Sequence, residues 1–492
     1  MSAIAVVRVR GPWARLEGPP EARAAAREAL TAEVPGARHT RAYQNGRWDG
    51  TRCLVSASGA FPSGLAERVA AIVDARIQVD DDPTAPMPFA DRLAGVELRP
   101  YQVTAADAAV ERRRVLIECP TGSGKTEIGA EVIRRVGAPA LWLTHRADLA
   151  RQTAERLRAR LGVEIGRVGA GAADWRAVTV GMVPTLARRL ESRHAGTLAR
   201  LGAVRVLVLD ECHHGAADTW RLVAQACGSA AYRIGLSGTA PRRDPLTDLL
   251  LEGVCGPTVV AAETGVLEAA GFLARPTVRL LEPPPASYPS YEEVREAVLP
   301  DWRRDPRRLA RLGTRLFDEA RRRGIVGNRD RTEAFAAAAA RHALAGERVL
   351  VLCELRPHAA ALEAAVRRRG VERTWCLTGE DRDREAALGR YRLLAGGGVL
   401  VATPWFREGM DVPEIDAGLL AGGSLSEIAV LQGFGRMLRP RSDKAEVLVY
   451  DALDGRDPGA RKDYLAQHAL ARLRVYRERG WVIERQPAGG WR

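Results

Sequence analysis

The sequence predicts an α/β protein with two parallel-sheet lobes behind a small α+β N-terminal domain. Three observations carry this. Short apolar runs alternate with helical stretches from Leu98 onward, the pattern of a parallel sheet covered by helices. The alternation breaks over residues 276–330 and then resumes. The chain has 492 residues, more than one hydrophobic core ordinarily serves.

The elements follow in order. In residues 1–93, Ala3–Arg10 reads as a strand, Glu21–Glu33 as an Ala-rich helix, and Arg41–Val55 as a hairpin turning at Asn45-Gly46 or Asp49-Gly50. Leu65–Arg76 reads as a helix and Ile77–Val79 as a short strand, and Asp80–Met87 as a linker. Residues 94–275 form the first lobe. Its strands are Val115–Glu118, Ala140–Thr144, Val178–Val180, Val206–Leu209 and Ile234–Ser237, with helices such as Thr126–Arg135 and Leu149–Leu161 between them. Residues 276–330, with Pro283-Pro284-Pro285 and the Arg-dense helical Asp301–Arg323, read as a linker or helical insertion. Residues 331–455 form the second lobe, with strands Val349–Cys353, Thr374–Leu377, Val399–Ala402, Gly418–Ala421 and Val447–Asp451, and residues 456–492 a helical tail.

Hydrophobic content of 46% and charged content of 27% are those of a soluble globular chain. No apolar run reaches the ~20 residues of a membrane span. Ala3–Val7 is too short for a signal-peptide core. Seven scattered Cys with no C-x-x-C fit a reducing compartment. The expectation is a cytoplasmic protein with no membrane partner. The net charge of +13 suits a polyanion partner and equally a solvated surface. Lys125, Lys444 and Lys462 are the only lysines in an Arg-rich chain. That usage suggests a GC-rich bacterium or its phage. It also makes Lys125 informative: this position takes a compact point charge where Arg serves elsewhere.

Thr121-Gly-Ser-Gly-Lys-Thr126 lies between a strand and a helix, the context of a phosphate-binding loop. Gly122, Ser123 and Gly124 would bring backbone N–H groups to phosphates at a helix N-terminus. Lys125 would reach the β- and γ-phosphates of ATP, and Thr126 a Mg²⁺ ion. Cys119 stands where the full pattern has Gly.

Asp210-Glu-Cys-His-His214 raises a choice between zinc and paired carboxylates. Zinc needs four ligands, and no other Cys/His pair has metal-ligand spacing. At the carboxyl end of an apolar strand, Asp210 suits Mg²⁺ and Glu211 suits activation of water. In Gln432-Gly-Phe-Gly-Arg-Met-Leu-Arg439, Gln432, Gly435, Arg436 and Arg439 recur at helical spacing. Two Arg on one face can stabilise a phosphoryl transition state.

In this order the segments resemble the superfamily 2 DEAH-type helicases, whose lobes are RecA-like. The resemblance covers about Leu98 to Leu453. Arg99 and Gln102 are similar to the motif that reads adenine. Thr144, His145, Arg146 and Gly181 are similar to the first lobe's contacts to a nucleic-acid strand. His213, Ser237 and Thr239 are similar to the residues that couple hydrolysis to movement. Thr403, with Glu408-Gly-Met-Asp411, is similar to the fifth motif, where Gly409 and Asp411 would face the nucleotide. Gln432, Arg436 and Arg439 are similar to the sixth. The resemblance implies an ATP- and Mg²⁺-dependent motor that grips DNA mainly through phosphates.

Trp48-Asp-Gly50 and Phe61–Leu65 resemble the N-terminal domain of phage UvsW-type helicases, and Asn328–Thr332 resembles the second-lobe entry of that group and of XPB-like enzymes. Arg38, Arg41, Tyr43, Arg47, Trp48 and Arg52 suit a duplex or branched-DNA contact; equally, the aromatics fit a core with exposed Arg around it. The leading reading is a monomeric DNA helicase or translocase acting on single-stranded, forked or branched DNA in recombination, repair or fork processing. The alternatives are an RNA helicase, or an ATP-switched nucleic-acid clamp or restriction-system motor subunit without processive unwinding.

Overall fold

The computed structural model describes residues 5–80, 87–120, 122–238, 244–272, 275–299, 312–378, 389–391, 396–403, 415–423, 446–460 and 462–486. The chain divides into two compact units, Met1–Glu263 and Thr264–Arg492. Among the described residues no helix is long and apolar enough to cross a membrane.

The first unit holds an eight-stranded sheet. Its order is Ala172–Asp174, Ile165–Gly169, Val178–Met182, Ala140–Thr144, Val206–Asp210, Tyr232–Ser237, Arg114–Glu118 and Thr258–Val260. All pairs are parallel except the first. The central strands are buried on both faces, which is why they read as unbroken apolar runs. Helices Pro100–Arg112, Lys125–Val136 and Ala147–Leu161 supply apolar residues to one face of the sheet.

The N-terminal residues form a four-stranded sheet with Val6–Arg10 and Trp13–Glu17 at its centre. They share one core with the first lobe: Phe61, Leu65 and Val69 pack in the same cluster as Leu246 and Leu249 of helix Pro245–Cys255. Arg68 adds a two-pronged hydrogen bond to Glu252, at 2.6 Å and 3.0 Å. The hairpin expected at Arg41–Val55 does not form. Arg41–Gln44 is a short helix, capped by Thr40, and Thr51–Cys53 pairs antiparallel with Thr31–Glu33. Asp49 explains the local turn, because its carboxylate accepts from both Thr51 N and Oγ1. The same pairing ends the first helix at Ala29, short of the expected Glu33.

The second unit holds a seven-stranded, all-parallel sheet. Its order is Thr374–Leu377, Gly398–Ala402, Arg348–Leu352, Ala417–Leu420, Glu446–Ala452, Arg275–Leu281 and Val482–Gln486. Arg275–Leu281 corrects the linker reading of residues 276–330, since it lies inside the sheet between Glu446–Ala452 and Val482–Gln486. Pro276, which lacks an N–H, precedes the first residue paired with Val482–Gln486. The expected helical tail is helix Tyr464–Glu478 followed by that further strand.

A buried charge network holds this unit together. Arg331 and Arg472 are fully enclosed. Arg331 donates to Asp454 at 2.6 Å and to Ala421 O at 2.7 Å; Arg472 donates to Asp451 at 2.8 Å and to Asp454 at 3.0 Å. Tyr288 and Tyr476 donate to Asp454 and Asp451. Such a network is costly unless every member is satisfied, and here the two tyrosine hydroxyls complete it.

Candidate nucleotide and nucleic-acid site

Strand Arg114–Glu118 runs directly into the glycine loop, and helix Lys125–Val136 starts at its end. Gly124 caps that helix in the left-handed region, at φ 81°. A Cβ there would stand 2.4 Å from Gln102 Nε2, so only Gly fits. The loop is tied from outside. Tyr101 Oη donates to Ser123 O at 2.6 Å, and Gln102 Nε2 donates to the same carbonyl at 2.8 Å. Gln102 Oε1 accepts from Arg99 N–H at 2.9 Å. The Arg99 guanidinium donates to Tyr101 Oη at 3.2 Å. Lys125 Nζ reaches Cys119 O at 3.4 Å. Cys119 is buried, which pushes its thiol up and leaves it a packed residue. Gly122 is exposed and Lys125 and Thr126 are half-buried.

Asp210 and Glu211 lie at the carboxyl end of strand Val206–Asp210. Asp210 Oδ2 accepts from Trp142 Nε1 at 3.4 Å, and Oδ1 from Glu211 N–H at 3.0 Å. Burial pushes the Asp210 carboxyl up, as does the Glu211 charge beside it; the Lys125 ammonium opposes both. Burial acts on Glu211 in the same sense, but Lys125 and His213 outweigh it and hold that carboxyl low. So Lys125, at the end of the glycine loop, acts on both acids. Gly129 leaves room for the Trp142 ring that hydrogen-bonds Asp210, since a Cβ there would stand 2.4 Å from it.

Glu211 has φ 50° and ψ 52°, a left-handed conformation that L side chains rarely adopt. It aims the side chain at His213, whose Nδ1 is 3.4 Å from Glu211 Oε2. Ser237 ends the adjacent strand, and its carbonyl accepts from Cys119 N–H at 2.9 Å. Thus Lys125, Asp210, Glu211, His213 and Ser237 converge.

The predicted nucleic-acid residues fall at strand ends. Thr144 ends strand Ala140–Thr144 and is paired with Met182, next to Gly181. Its buried hydroxyl has no hydrogen-bond partner among the described residues. The Thr403 hydroxyl, following strand Gly398–Ala402 in the second unit, is in the same condition. His145 and Arg146 are half-buried, and Arg47 is exposed. Trp48 is half-buried, and its Nε1 donates to Thr51 O at 2.8 Å. Thr121, Thr239, Glu408, Gly409, Asp411, Gln432, Arg436 and Arg439 lie outside the described residues.

Sequence reasoning passed over three partners: Tyr101, Trp142 and His214. Tyr101 and Trp142 look like ordinary core residues, and only their polar ends show otherwise. The adjacent His213 and His214 were the available signal for the third.

Among the described residues no group of three or more His, Cys, Asp or Glu could hold a metal ion. Mg²⁺ asks for less: one or two carboxylates, with water and phosphate oxygens completing its shell. Asp210 and Thr126 fit that role, and the positive-φ glycine cradle fits phosphates.

A mainly parallel sheet with a glycine loop at one strand end and tandem acids at another is the arrangement of the P-loop fold class. The family model described as the type III restriction enzyme res subunit matches residues 95–242. The DNA 3'-5' translocase XPB2 of Sulfurisphaera tokodaii is 26% identical over 400 residues, 77% of this chain and 86% of that protein. The type ISP restriction-modification enzyme LlaBIII bound to DNA superposes with a TM-score of 0.57 at 13% identity, covering 80% of this chain and 32% of that one. T4 UvsW matches with a TM-score of 0.44 at 18% identity over 99% of this chain and 100% of its own. The chain is thus similar to superfamily 2 helicases, with a DNA translocase among its relatives.

Proposed function

We propose that this protein is an ATP-dependent DNA helicase or translocase that remodels forked or branched DNA. The observation that carries the reading is the convergence of Lys125 on the Asp210–Glu211 pair beside a glycine loop. Backbone N–H groups of residues 122–126 would hold the triphosphate, with Lys125 neutralising its β- and γ-oxygens. Asp210 and Thr126 would hold Mg²⁺, which supplies charge neutralisation when bound. Glu211, kept ionised by Lys125, accepts the proton of an attacking water. The Gln102 amide nitrogen carries a second hydrogen beyond the one donated to Ser123 O, and that hydrogen suits adenine. Arg436 and Arg439 would stabilise the transition state.

Thr144, His145, Arg146, Gly181 and Thr403 would meet strand phosphates; the two orphaned threonine hydroxyls support this. Arg47 and Trp48 would contact duplex or fork. The 3'-5' DNA translocase named among the relatives supports DNA over RNA.

The test is steady-state ATPase with no nucleic acid, single-stranded DNA, duplex DNA, a fork and RNA, at one salt concentration. Strongest stimulation by the fork supports the proposal. Stimulation by RNA alone moves the protein to RNA, and no turnover at all removes the motor reading. A second reading, the motor subunit of a restriction system, draws on the res-subunit match at residues 95–242. It predicts duplex-stimulated translocation without strand displacement.

A further inference from the structure

Three histidine rings and one tryptophan form a continuous cluster of ring contacts beside the tandem acids. The His145 and His214 centroids are 4.7 Å apart with planes at 55°. Those of His214 and His213 are 4.2 Å apart at 42°. His214 also lies nearly parallel to Trp220, at 6.1 Å. Trp220 is buried in the helix Asp218–Ala226, which fixes the far side of the stack. At the other end, His213 Nδ1 is 3.4 Å from Glu211 Oε2.

The stack joins two segments distant in the sequence. His145 follows strand Ala140–Thr144, and His213 and His214 follow strand Val206–Asp210; the two strands are parallel neighbours. We propose that His214 is a positioning residue that relays occupancy of the nucleic-acid segment 144–146 to Glu211, through ring contact with His145 and His213. The inference rests on the function proposed above and adds a route to it.

The three histidine rings, at centroid distances of 4.7 Å and 4.2 Å, are in direct contact. A packed stack shifts as a unit rather than deforming. Glu211 is held in the left-handed region at φ 50°, so a small push on the turn Cys212–His214 moves the residue between distinct backbone wells. A strand phosphate drawing His145 outward would therefore change where the Glu211 carboxylate points. Trp220 gives the stack a fixed wall, so motion passes along the rings instead of dissipating.

The test uses the full chain, ATP, and single-stranded and forked DNA oligonucleotides. Turnover, KM for ATP and apparent DNA affinity are measured with and without DNA for wild type, His214→Ala, His214→Leu and His214→Phe. Coupling between two sites commonly amounts to ~5–150-fold. We expect His214→Ala to lose ~10-fold or more of the DNA stimulation while KM and DNA affinity change little. His214→Phe, which retains a ring, keeps most of the stimulation. His214→Leu fills the space without a ring and loses it; this variant stands in where Ala fails to fold. The His145→Ala/His214→Ala double variant is no worse than the more impaired single, because both break one chain of contacts.

A His214→Ala or His214→Leu protein that is stimulated as fully as wild type overturns the inference. So does an equal loss with and without DNA, which marks a merely structural residue. A wild-type protein that DNA does not stimulate instead overturns the reading as a DNA motor, and the inference with it.

Discussion

Replacing Glu211 with Gly separates strain from function at the site. At φ 50° and ψ 52°, a non-glycine residue carries roughly 1–2 kcal/mol of left-handed strain. Glycine removes that strain but loses more backbone entropy on folding, roughly 0.5–1 kcal/mol. The contact of Glu211 Oε2 with His213 Nδ1 at 3.4 Å is also lost. Both side chains are largely buried, and a contact of this length counts as one modest hydrogen bond of about 0.5–1.5 kcal/mol. The three terms sum to a change between about −1.5 and +1 kcal/mol in favour of the variant. For a unit of this size 1 kcal/mol is a melting shift of ~2–4 °C. So Glu211→Gly melts within a few degrees of wild type, on either side. Its ATPase falls by ~10²–10⁴, the usual share of a positioned general base. Differential scanning calorimetry and a coupled ATPase assay on the same preparation read both. Destabilisation of several kcal/mol would show that Glu211 holds the fold, and near-normal turnover would show that it does not act on water. Glu211→Gln is the control: backbone strain unchanged, nucleotide still bound, turnover lost.

Lys125→Ala removes the charge that favours ionisation of the buried acids; ATPase is lost and nucleotide affinity, read by fluorescent-analogue titration, falls. Gly129→Ala puts a Cβ 2.4 Å from the Trp142 ring, and overpacking of this kind costs ~1–3 kcal/mol; denaturant unfolding followed through tryptophan fluorescence measures it. Asp454→Asn leaves Arg331 and Arg472 short of an anion, and breaking a buried pair typically costs ~3–5 kcal/mol. Burial raises the Asp454 carboxyl, but Arg331 and Arg472 outweigh it and hold the group below its ordinary value of 3.8. Its stabilising contribution is therefore complete above that ordinary value and is lost as pH falls through the lower folded one. Acid unfolding of the second unit should be less steep in the Asn variant, as circular dichroism between pH 5 and 2 would show. Trp48→Ala loses the bond to Thr51 O; weaker fork binding with basal ATPase intact supports a DNA contact, and a lower melting temperature alone assigns Trp48 to the fold.

The central strands of both lobes were legible because parallel strands buried on both faces must be continuous apolar runs. Val206–Leu209 and Val399–Ala402 are examples. The glycine loop was legible because its residues stand at fixed short spacing between a strand and a helix, and all of them are local. What escaped was set by partners far along the chain. Arg275–Leu281 contains Pro and Arg and reads as linker; it is a strand because Glu446–Ala452 and Val482–Gln486 supply its hydrogen bonds. Thr51–Cys53 turns away from the nearby hairpin partner because Thr31–Glu33 is the edge it meets. Arg331 and Arg472 resemble surface residues of an Arg-rich chain, and only Asp451 and Asp454 make their burial affordable. The sequence by itself determined the glycine loop and the tandem acids, because both reside in residue types at short spacing. Tertiary structure alone decided that His145 meets His214 and that Lys125 acts on both acids, because side chains distant in sequence become neighbours only when parallel strands come into register.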